Sequence, residues 1–282
     1  MGTGDWNVGM NRVGEQVRGE SVWLGWFLCC CLRAVCKLSL LVPACEADRR
    51  ALLSEADQIA AAIEKNAWDG NWYVRAFCDD GKILGSSSSS ECMIDSIAQS
   101  WSVLSGYGNP ERSKTALLSA ERFLVDAENG VIKLLTPPFT EDSITDVGYI
   151  ASYPPGIREN GAQYTHAAIW LAKAFFQIGR KDSEFAQKGR RLLEMLNPVN
   201  HSRTRLEAAR YKTEPYAVAA DVYSGSNLGR GGWSWYTGSA AWLYLVILEE
   251  FLGFSVRNYG KDGSAELLLN PSVPQEWNEY TI

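Results

Sequence analysis

The sequence has no basic excess: 27 Lys and Arg stand against 33 Asp and Glu, a net charge of −6 over 282 residues. That argues against a nucleic-acid or anionic-membrane partner, because there is no positive surplus to neutralise phosphates. No Cys-x-x-Cys pair occurs among the seven cysteines, at 29, 30, 31, 36, 45, 78 and 92, so neither a zinc site nor a redox motif is indicated. The consecutive Cys29, Cys30 and Cys31 would point about 100° apart on one helix and cannot form a metal tetrahedron. They read as structural, reduced thiols, which fits a cytoplasmic protein. An uninterrupted apolar run of membrane length is also missing. The stretch from Val22 to Cys45 is broken by Arg33 and Lys37 and ended by Pro43, and reads as a buried helix. No basic segment leads directly into it, as a signal peptide would require.

What is abundant is aromatic: 11 Trp and 12 Tyr accompany 25 Gly. Rings beside glycine-rich loops suit ligands with weakly polar C–H faces, such as sugars, although most rings in a chain of this size belong to its core. At 46% hydrophobic and 21% charged, the composition is that of a globular enzyme and excludes disorder, collagen and coiled coil.

Residues 1–20 form a glycine-rich loop. Periodicity then predicts helices at about 22–40, 46–67, 94–106, 109–124, 161–178, 182–196 and 236–252. Long loops rich in Gly, Pro and aromatics, at 126–160, 198–235 and 254–282, separate some of them. The Ser86–Ser90 run is expected to be a solvated loop. Loops of that length inside a compact domain usually carry function. Ala265–Leu269 and Tyr280–Ile282 read as strand. The expectation is an all-α toroid of paired helices over residues 1–264, followed by a short C-terminal β segment at 265–282.

Three strings point further. Gly4-Asp5-Trp6-Asn7-Val8-Gly9-Met10-Asn11 resembles the Gly-Asp-Trp-Asn-Asp-Gly-Met-Asn loop of the family-94 glycoside phosphorylases, nearest to the C-terminal domain of cyclic β-1,2-glucan synthases. Tyr153-Pro154-Pro155-Gly156-Ile157-Arg158-Glu159-Asn160-Gly161, leading to Tyr164-Thr165-His166, resembles that family's second signature. The third is resembled by Glu214-Pro215-Tyr216 through Asp221, then Gly229-Arg230-Gly231-Gly232-Trp233 and Trp235-Tyr236-Thr237-Gly238. The resemblance implies an (α/α)6 barrel, of which about seven of twelve helices are expected here as its C-terminal part. It also implies inverting cleavage of β-glucosidic bonds by inorganic phosphate, a co-substrate that replaces any other cofactor. The partners would be a β-glucan or β-linked oligosaccharide and phosphate. Intact cyclic-glucan synthases are inner-membrane proteins whose C-terminal domain is cytoplasmic.

Such a site needs one acid for the leaving oxygen, a cradle for the phosphate and a surface for sugar. By the resemblance, His166, Thr237 and Gly238 match the phosphate contacts. Trp6 offers a stacking face, and Arg158 with Glu159 matches a pair that bonds sugar hydroxyls. Arg75 and Asp79 match a substrate-lining loop in which Cys78 replaces an aromatic; an ion pair that merely shapes the loop explains them equally well. Glu91 and Gln99 also match family positions, without an assigned role. His201 has no motif around it and is expected at the surface.

One departure is chemical. Val8 stands where the family has its general acid. Valine donates no proton, and losing a positioned acid typically costs two to four orders of magnitude in rate. Ala220 replaces a phosphate-contacting Gln of cellobiose-type relatives, a change shared with the cyclic-glucan branch. Two readings remain open at this point: part of a β-1,2-glucan-processing catalytic domain, or a non-catalytic relative that binds sugar or phosphate.

Overall fold

The computed structural model describes residues 1–39, 46–143, 145–235, 237–257 and 264–281. Eight α-helices dominate these residues: α1 (Val22–Ser39), α2 (Glu46–Asn66), α3 (Ser96–Leu104), α4 (Pro110–Leu124), α5 (Thr165–Gly179), α6 (Ser183–Leu196), α7 (Arg205–Tyr211) and α8 (Thr237–Leu245). α8 runs on into a π-helical stretch, Val246–Phe251.

Hydrophobicity decides which helices lie inside. α5 is apolar almost all round, with Ala167 through Ala172 and Ala174 through Phe176 buried, so it must be enclosed. α6 has one apolar stripe, Phe185, Ala186, Gly189, Leu192, Leu193 and Leu196, at a spacing of three and four, so it covers a core from one side. The packing follows. An inner row runs α1, α3, α5, α8, each on the next, while α2, α4 and α6 lie against α1, α3 and α5 from outside. Gly189 lets α6 come close to α5, because a Cβ there would press on the Phe176 ring. At the ends of the row, α1 leaves Phe27, Leu28, Val35 and Leu38 exposed, and the α8 region leaves Tyr244, Leu245 and Ile247 exposed.

Helix starts are chemically marked. Asp95 accepts from the Ile97 N–H, Asn109 precedes Pro110 and accepts from Glu111 and Arg112, and Thr204 with Glu207 forms a capping box. α5 is different: Tyr164 precedes it and gives no side-chain cap.

The mostly helical expectation holds, with local corrections. The helix expected from 161 starts at Thr165, because Gln163–Tyr164 pairs as a strand with Asp221–Val222. The 198–235 loop contains α7. Phe254–Arg257 pairs with Glu266–Leu269, so the C-terminal β segment spans both sides of the expected division at 264. Tyr280 and Thr281 lie in no strand; Ile282 is outside the described residues. The Ser86–Ser90 run is a loop exposed at Ser87, Ser88 and Ser90, as expected, and only Ser86 is buried, its hydroxyl donating to Asp69. His201 is half-buried rather than free at the surface: it stacks on Tyr211 at 4.9 Å and bonds the Met195 carbonyl. Six cysteines are free thiols, Cys29 bonding the Ala56 carbonyl, while Cys45 lies outside the described residues. Among the described residues no helix is long and apolar enough to cross a membrane.

Candidate functional site

The first signature loop is fixed from beneath by a buried ion triad. Arg75 pairs through both terminal nitrogens with Asp5 and through Nε with Asp95 at 3.2 Å, and all three side chains are fully buried. Asp5 also accepts from the Asn7 N–H at 2.8 Å and from the Ser21 hydroxyl. Burial pushes the Asp95 carboxyl up to about 6, against the pull of Arg75 and the Ile97 N–H. Burial opposes the Arg75 charge, but Asp5 and Asp95 outweigh it and hold the guanidinium above its ordinary value. Charges withdrawn from water this completely persist only when paired on several sides. Arg75 therefore leaves the substrate-binding set: it has no surface to offer a sugar and serves as the loop's anchor.

The other charged or polar residues singled out in this region are also clamps. Asp79 accepts the backbone N–H groups of Gln16, Arg18 and Gly19 at 2.8–2.9 Å, which occupies both its oxygens and pulls its carboxyl below the usual range. Gln99, fully buried, bonds both the N–H and the carbonyl of Tyr73. Glu91 accepts from Thr140 and Ser143.

Above the triad the loop delivers Trp6 and Val8. Trp6 lies 5.2 Å from Tyr164, 5.6 Å from His166 and 5.3 Å from Trp170, ring centre to ring centre. Val8, in a 3₁₀ turn (Val8–Met10), is 47% exposed. Asn7 between them is buried with neither end of its carboxamide hydrogen-bonded among the described residues.

His166 sits in the first turn of α5, 4.4 Å from Trp170 one turn below and 6.1 Å from Trp242 of α8. Burial among these rings depresses its pKa to about 4, so it is neutral near pH 7. Its buried Nε2 has no hydrogen-bond partner among the described residues. Gly238, the second residue of α8, faces it: a Cβ there would lie 3.6 Å from Nδ1. The first turn of α8 thus faces the Nδ1 edge of an imidazole carried on the first turn of α5, while the buried Nε2 on the same ring stays unpartnered. The Thr237 backbone opens α8; its side chain lies outside the described residues.

The second and third signature loops are tied at Asp221. Buried, with its carboxyl raised by that burial, it accepts from the Arg158 N–H at 3.0 Å, and Gly232 leaves it room because any Cβ there would collide with it. Arg158 has φ +52, in the left-handed region. Its guanidinium pairs with Glu159 at 3.4 Å and lies over Tyr153 at 5.4 Å and Trp233 at 5.9 Å. Partial burial works against that charge, yet Glu159, Tyr153 and Tyr164 hold it above its ordinary value. Through Tyr164 this half of the site adjoins Trp6.

The structure therefore brings together Trp6, His166 and Gly238, with Arg158 and Glu159 beside them, and separates off Arg75 and Asp79. Sequence reasoning passed over Asn7, Trp170, Asp221 and Trp242. Two of these had a signal: Trp170 follows His166, and Trp242 follows Gly238, by one helical turn. Among the described residues no group of three or more His, Cys, Asp or Glu is placed to hold a metal ion.

Three loops thus converge on a wall of aromatic rings around His166. Residues 1–253 match the family model described as the glycosyl hydrolase 94 superfamily, catalytic domain, and the chain belongs to that family. It is 48% identical to the cyclic β-(1,2)-glucan synthase NdvB of Rhizobium meliloti, over 99% of this chain and 9% of that protein. It is 32% identical to the solabiose phosphorylase of Paenibacillus borealis and 28% identical to the cellobionic acid phosphorylase of Neurospora crassa, each over 99% of this chain and 34% of the relative. The chain thus spans 9% to 34% of these relatives' length.

Proposed function

We propose that the site is built for inverting phosphorolysis, or the reverse glycosyl transfer, on β-1,2-glucan or a related β-glucoside, and that turnover in this chain is arrested at Val8. The observation that carries the reading is His166 on the first turn of α5, its Nε2 unpartnered and its Nδ1 edge against the first turn of α8, with Trp6 alongside. Neutral His166 donates a hydrogen bond to phosphate, and the first turn of α8, with Thr237 and Gly238, completes the cradle. Trp6 stacks on the sugar, while Arg158 and Glu159 hold its hydroxyls. Phosphate oxygen forms a bond to the anomeric carbon from one face as the bond to the leaving oxygen breaks on the other. That oxygen needs a proton. A carboxylic acid at position 8 would supply it; Val8 does not, and Asp5 is locked against Arg75. An N-terminal barrel portion and a cytoplasmic setting belong to the same proposal, on the glucan-synthase likeness.

The test is release of glucose 1-phosphate from β-1,2-linked oligosaccharide and phosphate. The chain as it stands should turn over below about a thousandth of a phosphorylase relative's rate. Val8→Asp, placed in a chimera supplying the parts of such a relative that this chain does not span, should restore turnover. A silent chimera would refute the phosphorolysis reading. Appreciable turnover by the unmodified chain would refute arrest at Val8. A second reading, a domain that only binds sugar or phosphate, is favoured by the same Val8 and predicts that Val8→Asp leaves even the chimera inactive.

A further inference from the structure

Large aromatics are normally buried, yet the segment that crosses the site carries two that are not. Trp233 is 61% exposed and Trp235 is 68% exposed, and Tyr216 beside them is 75% exposed. They are not scattered. Trp233 lies under the Arg158 guanidinium, and Trp235 stands two residues further along the same segment, between Trp233 and Gly238, which faces His166. Tyr216 meets Trp235 edge to face at 6.1 Å. The Trp235 indole N–H donates to Glu214 at 3.2 Å, which fixes the plane of the ring while leaving its face to solvent. Trp235 also has φ +66, a conformation that a bulky residue adopts only at a cost. A ring kept outward at such expense, oriented by a carboxylate and continuous with a sugar site, has a use for its face.

We propose that Trp235, Tyr216 and Glu214 form an outer subsite for β-linked gluco-oligosaccharide, receiving glucosyl units beyond those held at Trp6, Arg158 and Glu159. The rings take the C–H faces of successive sugars, and Glu214, which holds the Trp235 indole N–H, accepts a sugar hydroxyl on its remaining lone pairs. The inference rests on the proposed function above but concerns chain length, which that reading leaves open. Disaccharides end before the shelf; longer chains lie across it.

The experiment is calorimetric binding of two probes, the β-1,2-linked glucose disaccharide and a β-1,2-linked hexaose, to the full chain. Variants are Trp235→Gly, Trp235→Phe, Tyr216→Ala and Trp6→Ala. Glycine suits the left-handed backbone at 235, so that variant removes the ring without endangering the fold. The wild type should bind the hexaose more tightly. Trp235→Gly and Tyr216→Ala should each weaken hexaose binding about fivefold or more and leave the disaccharide within about twofold, while Trp235→Phe retains both. Trp6→Ala should weaken both probes alike. Equal losses on the two probes, or no loss on the hexaose, would overturn the outer subsite while leaving the site at Trp6 intact. A wild type that binds neither sugar would overturn both.

Discussion

Removing the carboxylate of Asp5 should be the most damaging single change to the first signature loop. Asp5→Ala strips Arg75 of the partner for both its terminal nitrogens, while Asp95 still holds Nε and Ser21 still lies 3.1 Å from one terminal nitrogen. Breaking a fully buried ion pair from one side costs about 3–5 kcal/mol. The lost acceptors for the Asn7 N–H and the Ser21 hydroxyl add roughly 1 kcal/mol each at most, offset in part by the contacts Arg75 keeps. A loss of about 4 kcal/mol is expected, which at roughly 2–4 °C per kcal/mol lowers Tm by about 8–16 °C. Asp5→Asn retains an acceptor and should cost about half as much. Urea and thermal unfolding followed by far-UV circular dichroism measure both. The double variant Asp5→Ala with Arg75→Met should cost less than the sum of the single changes by at least about 1 kcal/mol, since the orphaned charge is gone. Asp5→Ala within about 1 kcal/mol of wild type would refute the anchoring role. It would also free Asp5 to serve as a proton donor in place of Val8.

Proton NMR separates the two histidines, and the His166 resonance should titrate near pH 4, well below the ordinary 6.5. Because its pKa is depressed on folding, its contribution to stability is complete above about pH 6.5 and is lost as pH falls through about 4. Inorganic phosphate bound at Nε2 should raise that midpoint; a midpoint indifferent to saturating phosphate would remove His166 from the cradle. Gly238→Ala places a methyl in ordinary contact with the imidazole, so stability should hold or rise by up to about 1 kcal/mol while phosphate affinity falls, measured by thermal shift and calorimetry.

The helices were legible because their signal is local. The apolar face of α6 and the all-round apolarity of α5 stand in consecutive residues, and the packing row follows from them. The proximity of Trp6, His166 and Gly238 was legible because each lies in one of three strings that the resemblance sets around one cleft. The roles of Arg75 and Asp79 were not, since a charged residue on a loop serves an ion pair or a sugar equally well until burial is known. The burial of Arg75 is decided by Asp5, 70 residues away, and Asp95, 20 residues away. His201 was missed for the same reason: its place depends on Tyr211 across a loop.

The apolar flanks of α1 and α8 have a colloidal consequence. Phe27, Leu28, Val35 and Leu38 at one end of the inner row, and Tyr244, Leu245 and Ile247 at the other, make the particle sticky at two poles. A net charge of −6 holds such particles apart only over the Debye length, about 30 Å in dilute buffer and about 8 Å at physiological ionic strength. Salt therefore brings the poles within reach of one another, and clustering of the chain is governed by ionic strength and by whatever covers those two stripes.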